Sequence, residues 1–214
     1  MESTTIYNPD CRTCPRLAAF LDDVKAANPG YFCKPVPPFG DAHPKLLVVG
    51  LAPGMHGANR TGRPFTGDHA GILLYETLFK FGYATRAVSE SADDGLKLIG
   101  CRISNAVKCL PPENKPLPDE IRMCNGFLGA ELAQLPKGTA LLALGLIAHS
   151  AVLMALKLKK SAFRFSHGAR HALPDGRTLF DSYHCSRYNT QTRRLTAGGF
   201  GSVFAAIRDH LEKR

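Results

Sequence analysis

Apolar and polar residues alternate along the chain in blocks that predict short strands separated by amphipathic helices. Four candidate strands are predicted at Lys45–Gly50, Ile103–Lys108, Ala140–Gly145 and Leu179–His184, of which Lys45–Gly50 contains the apolar run LLVV. Apolar residues at spacings of three and four predict helices at 9–27, Asp68–Phe81, Pro118–Leu135, Leu146–Leu156 and Ser202–Lys213. Because strands and helices alternate, we expect a three-layer α/β/α fold with a central, mostly parallel four-stranded sheet.

Composition adds an uneven basic charge to this picture. The chain of 214 residues has the length of one domain, so we expect a single domain over residues 1–214. Its formal net charge is +9, and residues 150–200 carry nine Lys and Arg against two Asp. A one-sided basic surface suits a polyanion such as nucleic acid, although a solvated basic face would give the same count.

No segment of the sequence predicts export or membrane insertion. The first ten residues, MESTTIYNPD, have neither a basic nor an apolar region of the kind found in signal peptides. The longest apolar stretch, Thr139–Leu156, is interrupted by Gly145, His149 and Ser150, which favours a strand, a turn and a helix. We therefore expect a cytoplasmic protein without membrane contact, whose cysteines are reduced.

The cysteines include two pairs with the spacing of metal ligands. Cys11 and Cys14 form the motif CRTC, and Cys109 and Cys124 flank a proline-rich loop. Four thiolates can hold a tetrahedral zinc ion or an iron–sulfur cluster, and the spacing alone does not choose between them or exclude metal-free thiols. The other three are expected to be small buried residues: Cys33, Cys101 and Cys185.

The loop after the first predicted strand, GLAPGMHGANRTGRPFTGDHAG, is rich in glycine and lies where α/β proteins bind ligands. It lacks the Gly-Lys-Ser/Thr of a P-loop and the GxGxxG of a dinucleotide site. Within it, Phe65 is either a core residue or a ring that stacks on a base. Asp68 precedes a predicted helix, so it either caps that helix or supplies a carboxylate that positions water or stabilises a sugar cation.

Two further polar residues fall near strand ends. Asn105 either caps a strand or reads the edge of a base, and His184 is either a core histidine or a donor to a leaving group. The following loop, His184–Thr196, has three arginines and no acids, which suits a nucleic-acid backbone. A thiol nucleophile at Cys185 is disfavoured, because neighbouring side chains on an extended chain point in opposite directions.

Together these segments resemble the uracil-DNA glycosylase superfamily, and most closely its family 5, the type B enzymes. The resemblance covers nearly the whole chain, in the segments CRTC, GLAPGMHGANRTGRPFTGD, ISNAVKC, CLPPENKPLP and HCSRYNTQTRRLT. It implies a monofunctional glycosylase that removes uracil from double-stranded DNA and leaves an abasic site. It also implies a structural 4Fe-4S cluster held by Cys11, Cys14, Cys109 and Cys124.

The resemblance assigns roles to individual residues. Phe65 matches the ring that stacks on the flipped base, Asn105 matches the residue that reads it, and His184 matches the histidine that bonds its carbonyl oxygen. Asp68 matches the carboxylate proposed to assist catalysis. The backbone around the deoxyribose corresponds to Gly50, Ala52, Pro53 and Gly54. The residues expected to grip DNA are Ser186, Arg187, Tyr188, Asn189, Thr190 and Arg193.

The motifs depart from the superfamily pattern at two places. Ala52 stands where relatives often carry Asp or Asn, and Leu51 stands where family 4 has Glu, so Asp68 is the only nearby carboxylate. His184-Cys185-Ser186 replaces the more usual His-Pro-Ser. Without an acidic water activator, we expect a permissive pocket that also accepts deaminated purines such as hypoxanthine or xanthine. We expect a monomer; the alternatives are a metal-stapled nucleic-acid-binding module without hydrolysis, or covalent capture of abasic sites.

Overall fold

A computed structural model of the protein describes residues 5–213 and contains one mixed sheet. The sheet has six strands in the order β1-β3-β2-β4-β6-β5. Its four central strands are parallel, and the short strands at its two edges are antiparallel to their neighbours. The strands are β1 (Phe39–Gly40), β2 (Leu46–Gly50), β3 (Cys101–Asn105), β4 (Ala140–Leu144), β5 (Arg170–Ala172) and β6 (Thr178–Ser182).

Helices connect the strands. They are α1 (Pro15–Ala27), α2 (Ala58–Thr61), α3 (His69–Lys80), α4 (Pro118–Gln134), α5 (Leu146–Ala155), α6 (Arg187–Gln191) and α7 (Ala197–Glu212). Among residues 5–213, no helix combines the length and the apolar character that a membrane crossing requires.

Alternating side chains of the strands build two apolar layers, one on each face of the sheet. On β2, Leu46 and Val48 pack on the side that also holds residues of α3 and α7. The intervening Leu47 and Val49 pack on the opposite side, with residues of α4 and α5. Because both faces of β2 and β4 are buried, their sequences, LLVVG and ALLAL, are continuously apolar rather than alternating. The predicted α/β fold with a mostly parallel central sheet is confirmed, but the sheet has six strands and not the predicted four, because a short antiparallel strand is added at each edge.

The structure differs from the sequence-based prediction mainly in short polar elements and in element ends. The two edge strands, β1 and β5, were not predicted, because two or three residues carry no periodic pattern. β3 begins and ends earlier than predicted, at Cys101 and Asn105, and β6 ends at Ser182. Helix α7 begins at Ala197, where Thr196 caps it by accepting a hydrogen bond from the Gly199 amide. The first helix begins only at Pro15.

Candidate active site

The loops that follow β2, β3 and β6 meet at the carboxyl edge of the sheet and enclose a cavity of about 630 Å³. In the sheet, β2 lies between β3 on one side and β4 and β6 on the other. The β2 loop therefore forms the floor, with the other two loops flanking it. The predicted site residues that line the cavity are Ala52, Gly54, Phe65, Asp68, His184, Ser186 and Arg187.

A buried polar network shapes the β2 loop. The Arg63 guanidinium, almost fully buried, donates to the Asp94 carboxylate, to Ser89 Oγ and to Thr66 Oγ1. The Tyr75 hydroxyl donates to the Pro64 carbonyl at 2.8 Å. These bonds hold the segment on both sides of Phe65, whose backbone takes the left-handed conformation (φ +55°) that a bulky residue rarely adopts. The other residues of the motif RPFT therefore serve mainly to hold the Phe65 ring in position.

Asp68 caps helix α3 and also faces the cavity. Its Oδ1 accepts a hydrogen bond from the Gly71 amide at 2.9 Å, so the capping interpretation is confirmed. The carboxylate lies against Gly57 and Gly54, where any side chain would collide with it or crowd it. Burial raises the pKa of Asp68 above its usual value, and the hydrogen bond from the Gly71 amide opposes that shift. One residue therefore both caps a helix and presents a carboxylate to the cavity.

Gly50, Asn105 and Phe65 converge behind the cavity wall. Gly50 pairs with Asn105 in the parallel ladder between β2 and β3. A Cβ atom at Gly50 would lie 2.5 Å from Asn105 Oδ1 and 2.6 Å from the Phe65 ring, so only glycine leaves this space open. Asn105 is buried, and its Oδ1 has no hydrogen-bond partner among residues 5–213. Pro53 is buried between two cavity residues and does not line the cavity itself.

His184 follows β6 and stacks on Phe65, with ring centroids 5.8 Å apart and planes 29° apart. No hydrogen bond reaches either ring nitrogen from the part of the chain that the structure describes, so the interpretation as a core histidine bonded to the backbone is wrong. Desolvation lowers the pKa of His184 to about 4, which makes the ring neutral at pH 7. Its neighbour Cys185 is fully buried, and burial raises the pKa of that thiol well above its usual value.

The predicted DNA-binding loop contains a helix that the sequence did not reveal, α6, capped by Ser186. Arg187 is exposed and lines the cavity, whereas Tyr188 projects into solvent with 69% of its surface exposed. Asn189 Nδ2 donates to the His184 carbonyl at 2.8 Å, and Thr190 Oγ1 lies 3.0 Å from His69 Nε2. Arg193 is exposed in a left-handed conformation. Asn189 and Thr190 thus brace the loop, while the arginines remain accessible.

Sequence reasoning missed three polar cavity residues. His56 and His69 lie in the β2 loop and at the start of α3, and Asn114 reaches the cavity from the proline-rich loop after β3. In the sequence, that loop was noted as the spacer between two cysteines and as one of the segments that carry the family resemblance. Its second feature, a polar residue brought to the carboxyl edge of the sheet, follows from the parallel topology and could have been found from it.

The four paired cysteines line a small common cavity beside the active-site cavity. Cys11 and Cys14 precede α1, Cys109 follows β3, and Cys124 lies in α4. Burial and the neighbouring sulfurs raise the pKa of Cys109 to about 12. The backbone amide of Lys108 donates to Cys124 Sγ at 3.2 Å. The remaining three cysteines are buried separately, as predicted: Cys33, Cys101 and Cys185.

A second group of potential metal ligands lies outside the cavity. Donor atoms of His149, His171 and Asp181 lie within 4.8 Å of one another. Asp181 accepts from His149 Nδ1 at 2.8 Å through Oδ1 and from His171 Nε2 at 3.0 Å through Oδ2. The other nitrogen of His149 donates to the Phe163 carbonyl at 2.9 Å. These hydrogen bonds account for the group as a buried polar network between α5, β5 and β6.

Comparison with known proteins identifies the family. Residues 37–208 match the family model described as "Uracil DNA glycosylase superfamily". The chain is 50% identical over 198 residues to a type-5 uracil-DNA glycosylase of Thermus thermophilus, covering 90% of each chain. It is 40% identical to the type-5 enzyme of Pyrobaculum aerophilum, covering 91% of this chain and 86% of that one. The type-5 enzyme of Mycobacterium tuberculosis is also 40% identical, over 91% of this chain and 75% of its own length. The chain therefore belongs to the uracil-DNA glycosylase superfamily, among the type-5 enzymes.

Proposed function

We propose that the protein is a monofunctional DNA glycosylase that hydrolyses the N-glycosidic bond of uracil in double-stranded DNA and leaves an abasic site. The observation that carries this proposal is the convergence of Phe65, Asp68 and His184 on one cavity, with the free Asn105 Oδ1 behind it. Substrates buried in a duplex are reached by extruding the nucleotide, at a cost of about a few kcal/mol. The whole chain acts as one domain and as a monomer.

The base would enter against Phe65 and meet Asn105 at its inner end. Asn105 Oδ1 is a buried acceptor without a partner, and such an atom costs roughly 1–3 kcal/mol unless a ligand supplies a donor. An N–H group on the edge of uracil is such a donor. The space above Gly50 gives the base room to reach it.

Bond cleavage leaves its electron pair on the base and positive charge on the sugar. The neutral His184 ring would donate a hydrogen bond to the carbonyl oxygen on which negative charge develops. The Asp68 carboxylate, ionised, would stabilise the oxocarbenium-like sugar and accept a proton from the attacking water. The water oxygen then forms the new bond to C1′ as the C1′–N bond breaks, and the proton taken up by Asp68 passes through solvent to the departing base anion. The side chain of Ala52 has no carboxylate that could take this role in place of Asp68.

We propose that the pocket also accepts deaminated purines such as hypoxanthine and xanthine. The support is the size of the cavity and the small side chain at Ala52. Catalysis would then depend more on stabilising the leaving base than on activating a water molecule. DNA would be held by the α6 loop, with Arg187 at the cavity and Tyr188, Asn189, Thr190 and Arg193 beyond it.

We further propose that Cys11, Cys14, Cys109 and Cys124 hold a 4Fe-4S cluster. The four thiols face one cavity, where burial and the neighbouring sulfurs raise the pKa of Cys109 and a bound cation would favour its thiolate; the amide donor to Cys124 is typical of thiolate ligands. A single zinc ion would hold sulfur pairs about 3.8 Å apart. Among residues 5–213 the cysteine sulfurs form no group as compact as that of His149, His171 and Asp181, which favours a larger cluster. Such a cluster would brace the loop beside the DNA.

Iron and zinc analysis of the purified protein tests the cluster. We expect about four iron atoms per chain, and their loss with the visible absorption in Cys124→Ser. Cys101→Ser is the matched control, because Cys101 is buried in a core cluster that contains none of the four cysteines, and it does not line their cavity. Stoichiometric zinc without iron would overturn the assignment.

Cleavage of end-labelled duplexes with a single uracil, hypoxanthine or xanthine tests the activity. Strand breaks that need hot alkali on several of these bases would support a broad monofunctional glycosylase. Breaks with uracil alone would support the glycosylase activity and contradict the proposal that the pocket accepts deaminated purines. Tight DNA binding without base release would contradict hydrolysis and favour a binding module. A DNA adduct that survives denaturation would instead indicate covalent capture.

A further inference from the structure

The short helix α6 carries an arginine of the active-site cavity, yet apolar packing does not hold the helix in place. None of its residues, Arg187–Gln191, is buried, although the flanking Cys185 and Leu195 are. The Asn189 amide bonds the His184 carbonyl, which is a contact within the same loop. The position of α6 relative to the rest of the site therefore depends on contacts with a different element.

A side-chain hydrogen bond joins α6 to α3. His69 Nε2 lies 3.0 Å from Thr190 Oγ1, although the two residues are 121 positions apart in the sequence. Among residues 5–213, no other side-chain hydrogen bond connects α6 with a segment outside residues 184–195. His69 is the first residue of α3 and directly follows the Asp68 cap. The bond thus ties the helix proposed to bind DNA to the segment that presents the carboxylate.

The space around this bond is not filled by side chains. A cavity of about 310 Å³ is lined by His69 and Ile72 of α3 and by Arg187 of α6. Another, of about 340 Å³, is lined by the same two residues of α3 and by Thr190 of α6. Close packing therefore does not fix the separation of the two helices, and the hydrogen bond between His69 and Thr190 does.

The hydrogen bonds of Thr190 determine which partner supplies the proton. Its Oγ1 lies 3.2 Å from the Ser186 carbonyl and 3.1 Å from the Arg187 carbonyl. Carbonyl oxygens only accept, so the single hydroxyl proton goes to one of them. Oγ1 then accepts from His69, and Nε2 of that ring carries a proton.

We propose that His69 is a positioning residue, whose bond to Thr190 holds α6 so that Arg187 stands at the active-site cavity and contacts the DNA backbone. This inference rests on the proposed glycosylase function. Contacts to phosphate fix the register of a protein on a duplex. Because His69 adjoins Asp68, the same bond aligns the bound strand with the carboxylate.

A double-mutant cycle between His69 and Arg187 tests this role. The measurement is the Kd for a duplex that contains an abasic-site analogue. His69→Ala should raise Kd about fivefold and Arg187→Ala about tenfold. If His69 acts through Arg187, His69→Ala should raise Kd less than about twofold in the Arg187→Ala background. Independent effects, about fiftyfold in the double variant, would overturn the inference.

Thr190→Val removes the other half of the bond and keeps the shape of the side chain. Its effect should equal that of His69→Ala, and combining the two should add little. Although no charge is removed, the slope of log Kd against log salt should fall by up to about one, as in Arg187→Ala, because the arginine is displaced. An unchanged slope would contradict the proposal.

Thr77→Val is the matched control, because the Thr77 hydroxyl donates within α3, to the Leu73 carbonyl at 2.7 Å. This substitution should leave both Kd and the salt slope unchanged. NMR of nitrogen-labelled protein should show His69 protonated at Nε2, with a signal that shifts in Thr190→Val and not in Thr77→Val. The tautomer protonated at Nδ1 would overturn the assignment of His69 as the donor.

A wild-type Kd in His69→Ala would overturn the inference and leave the proposed function intact. A lower kcat with an unchanged Kd would also overturn it, because His69 would then act on Asp68 and not on α6. If the wild-type protein binds the duplex but releases no uracil, the proposed function fails. The cycle with the abasic-site analogue would still decide whether His69 positions Arg187.

Discussion

Two groups of polar residues, one within strand β6 and one just beyond its end, both contain histidines but differ in how fully their polar atoms are hydrogen-bonded. Within the strand, both carboxylate oxygens of Asp181 are bonded to histidines, and both nitrogens of His149 have partners. Just beyond its end, the His184 ring has no hydrogen bond to any described residue, and Asn105 Oδ1 in the same active site has no partner among residues 5–213. The first region, called the closed region below, satisfies its hydrogen bonds within the protein. The second, called the open region, contains polar atoms that lack partners until a ligand binds.

The difference teaches that residue type is a weak indicator of function and that unsatisfied polar atoms are a stronger one. Two histidines and an aspartate suggest a metal site by composition, yet their donor atoms are consumed by one another. A buried, fully bonded network stabilises one arrangement of the core. Polar atoms without partners beside an open cavity are available to form hydrogen bonds with a substrate.

The largest expected effect is on stability, in the closed region. Asp181→Asn removes one partner of a fully buried network, so the free energy of unfolding should fall by about 3–5 kcal/mol in urea titration. Folded molecules of this variant should cleave uracil DNA at close to the wild-type rate. A loss of activity without a loss of stability would show that the network takes part in catalysis. It would contradict the distinction drawn between the closed and the open region.

The next effect is on catalysis, in the open region. His184→Ala removes the proposed donor to the leaving base, so kcat should fall by roughly 10²–10³ in single-turnover assays. Stability should change less than in Asp181→Asn, because the ring has no hydrogen bond to lose among residues 5–213. His43→Ala, at an exposed histidine, is the control. An unchanged kcat would remove His184 from the mechanism.

Filling the space above Gly50 should act mainly on binding. Gly50→Ala places a Cβ 2.5 Å from Asn105 Oδ1 and displaces the amide and the Phe65 ring, so KM should rise about a hundredfold. Gly201→Ala in α7 is the matched control, since a Cβ there meets nothing within 4 Å. Equal effects of the two substitutions would show that the first acts through stability alone.

The smallest expected effect near neutral pH is the change of kcat with pH. Burial raises the pKa of Asp68 and lowers that of His184 to about 4. If ionised Asp68 is required, kcat should fall as the pH drops through its raised pKa, at a midpoint above the usual 3.9 for Asp. Neutral His184 predicts no break near pH 6.5. Asp68→Asn should lower kcat and abolish the acid limb; a limb that persists would assign it to another group.

Much of the fold was predictable from local pattern, because β2 and β4 are buried on both faces and their sequences are continuous apolar runs. Helix α6 was not, because Arg187–Gln191 has no apolar face and depends on its Ser186 cap. The edge strands β1 and β5 are too short for any period to show.

The candidate site was predictable where one motif carries it and unpredictable where distant segments meet. Phe65 and Asp68 lie three residues apart in one loop, and the motif around them indicated both. Asn114 reaches the cavity from a separate loop, and Asp181 meets histidines 32 and 10 residues away. Whether a histidine is bonded or free depends on such contacts, which a sequence pattern does not record.

The pairing of Gly50 with Asn105 has a consequence for how this pocket can change. Neighbouring strands lie about 4.8 Å apart whatever side chains they carry, and the ladder continues beyond both residues from Ala106 to Gly50 and from Val107 to Leu51. The position of the amide relative to the floor is therefore set by main-chain geometry. Substitutions in the surrounding loops can alter which bases enter and how DNA is held, while the depth at which a base is read stays constant.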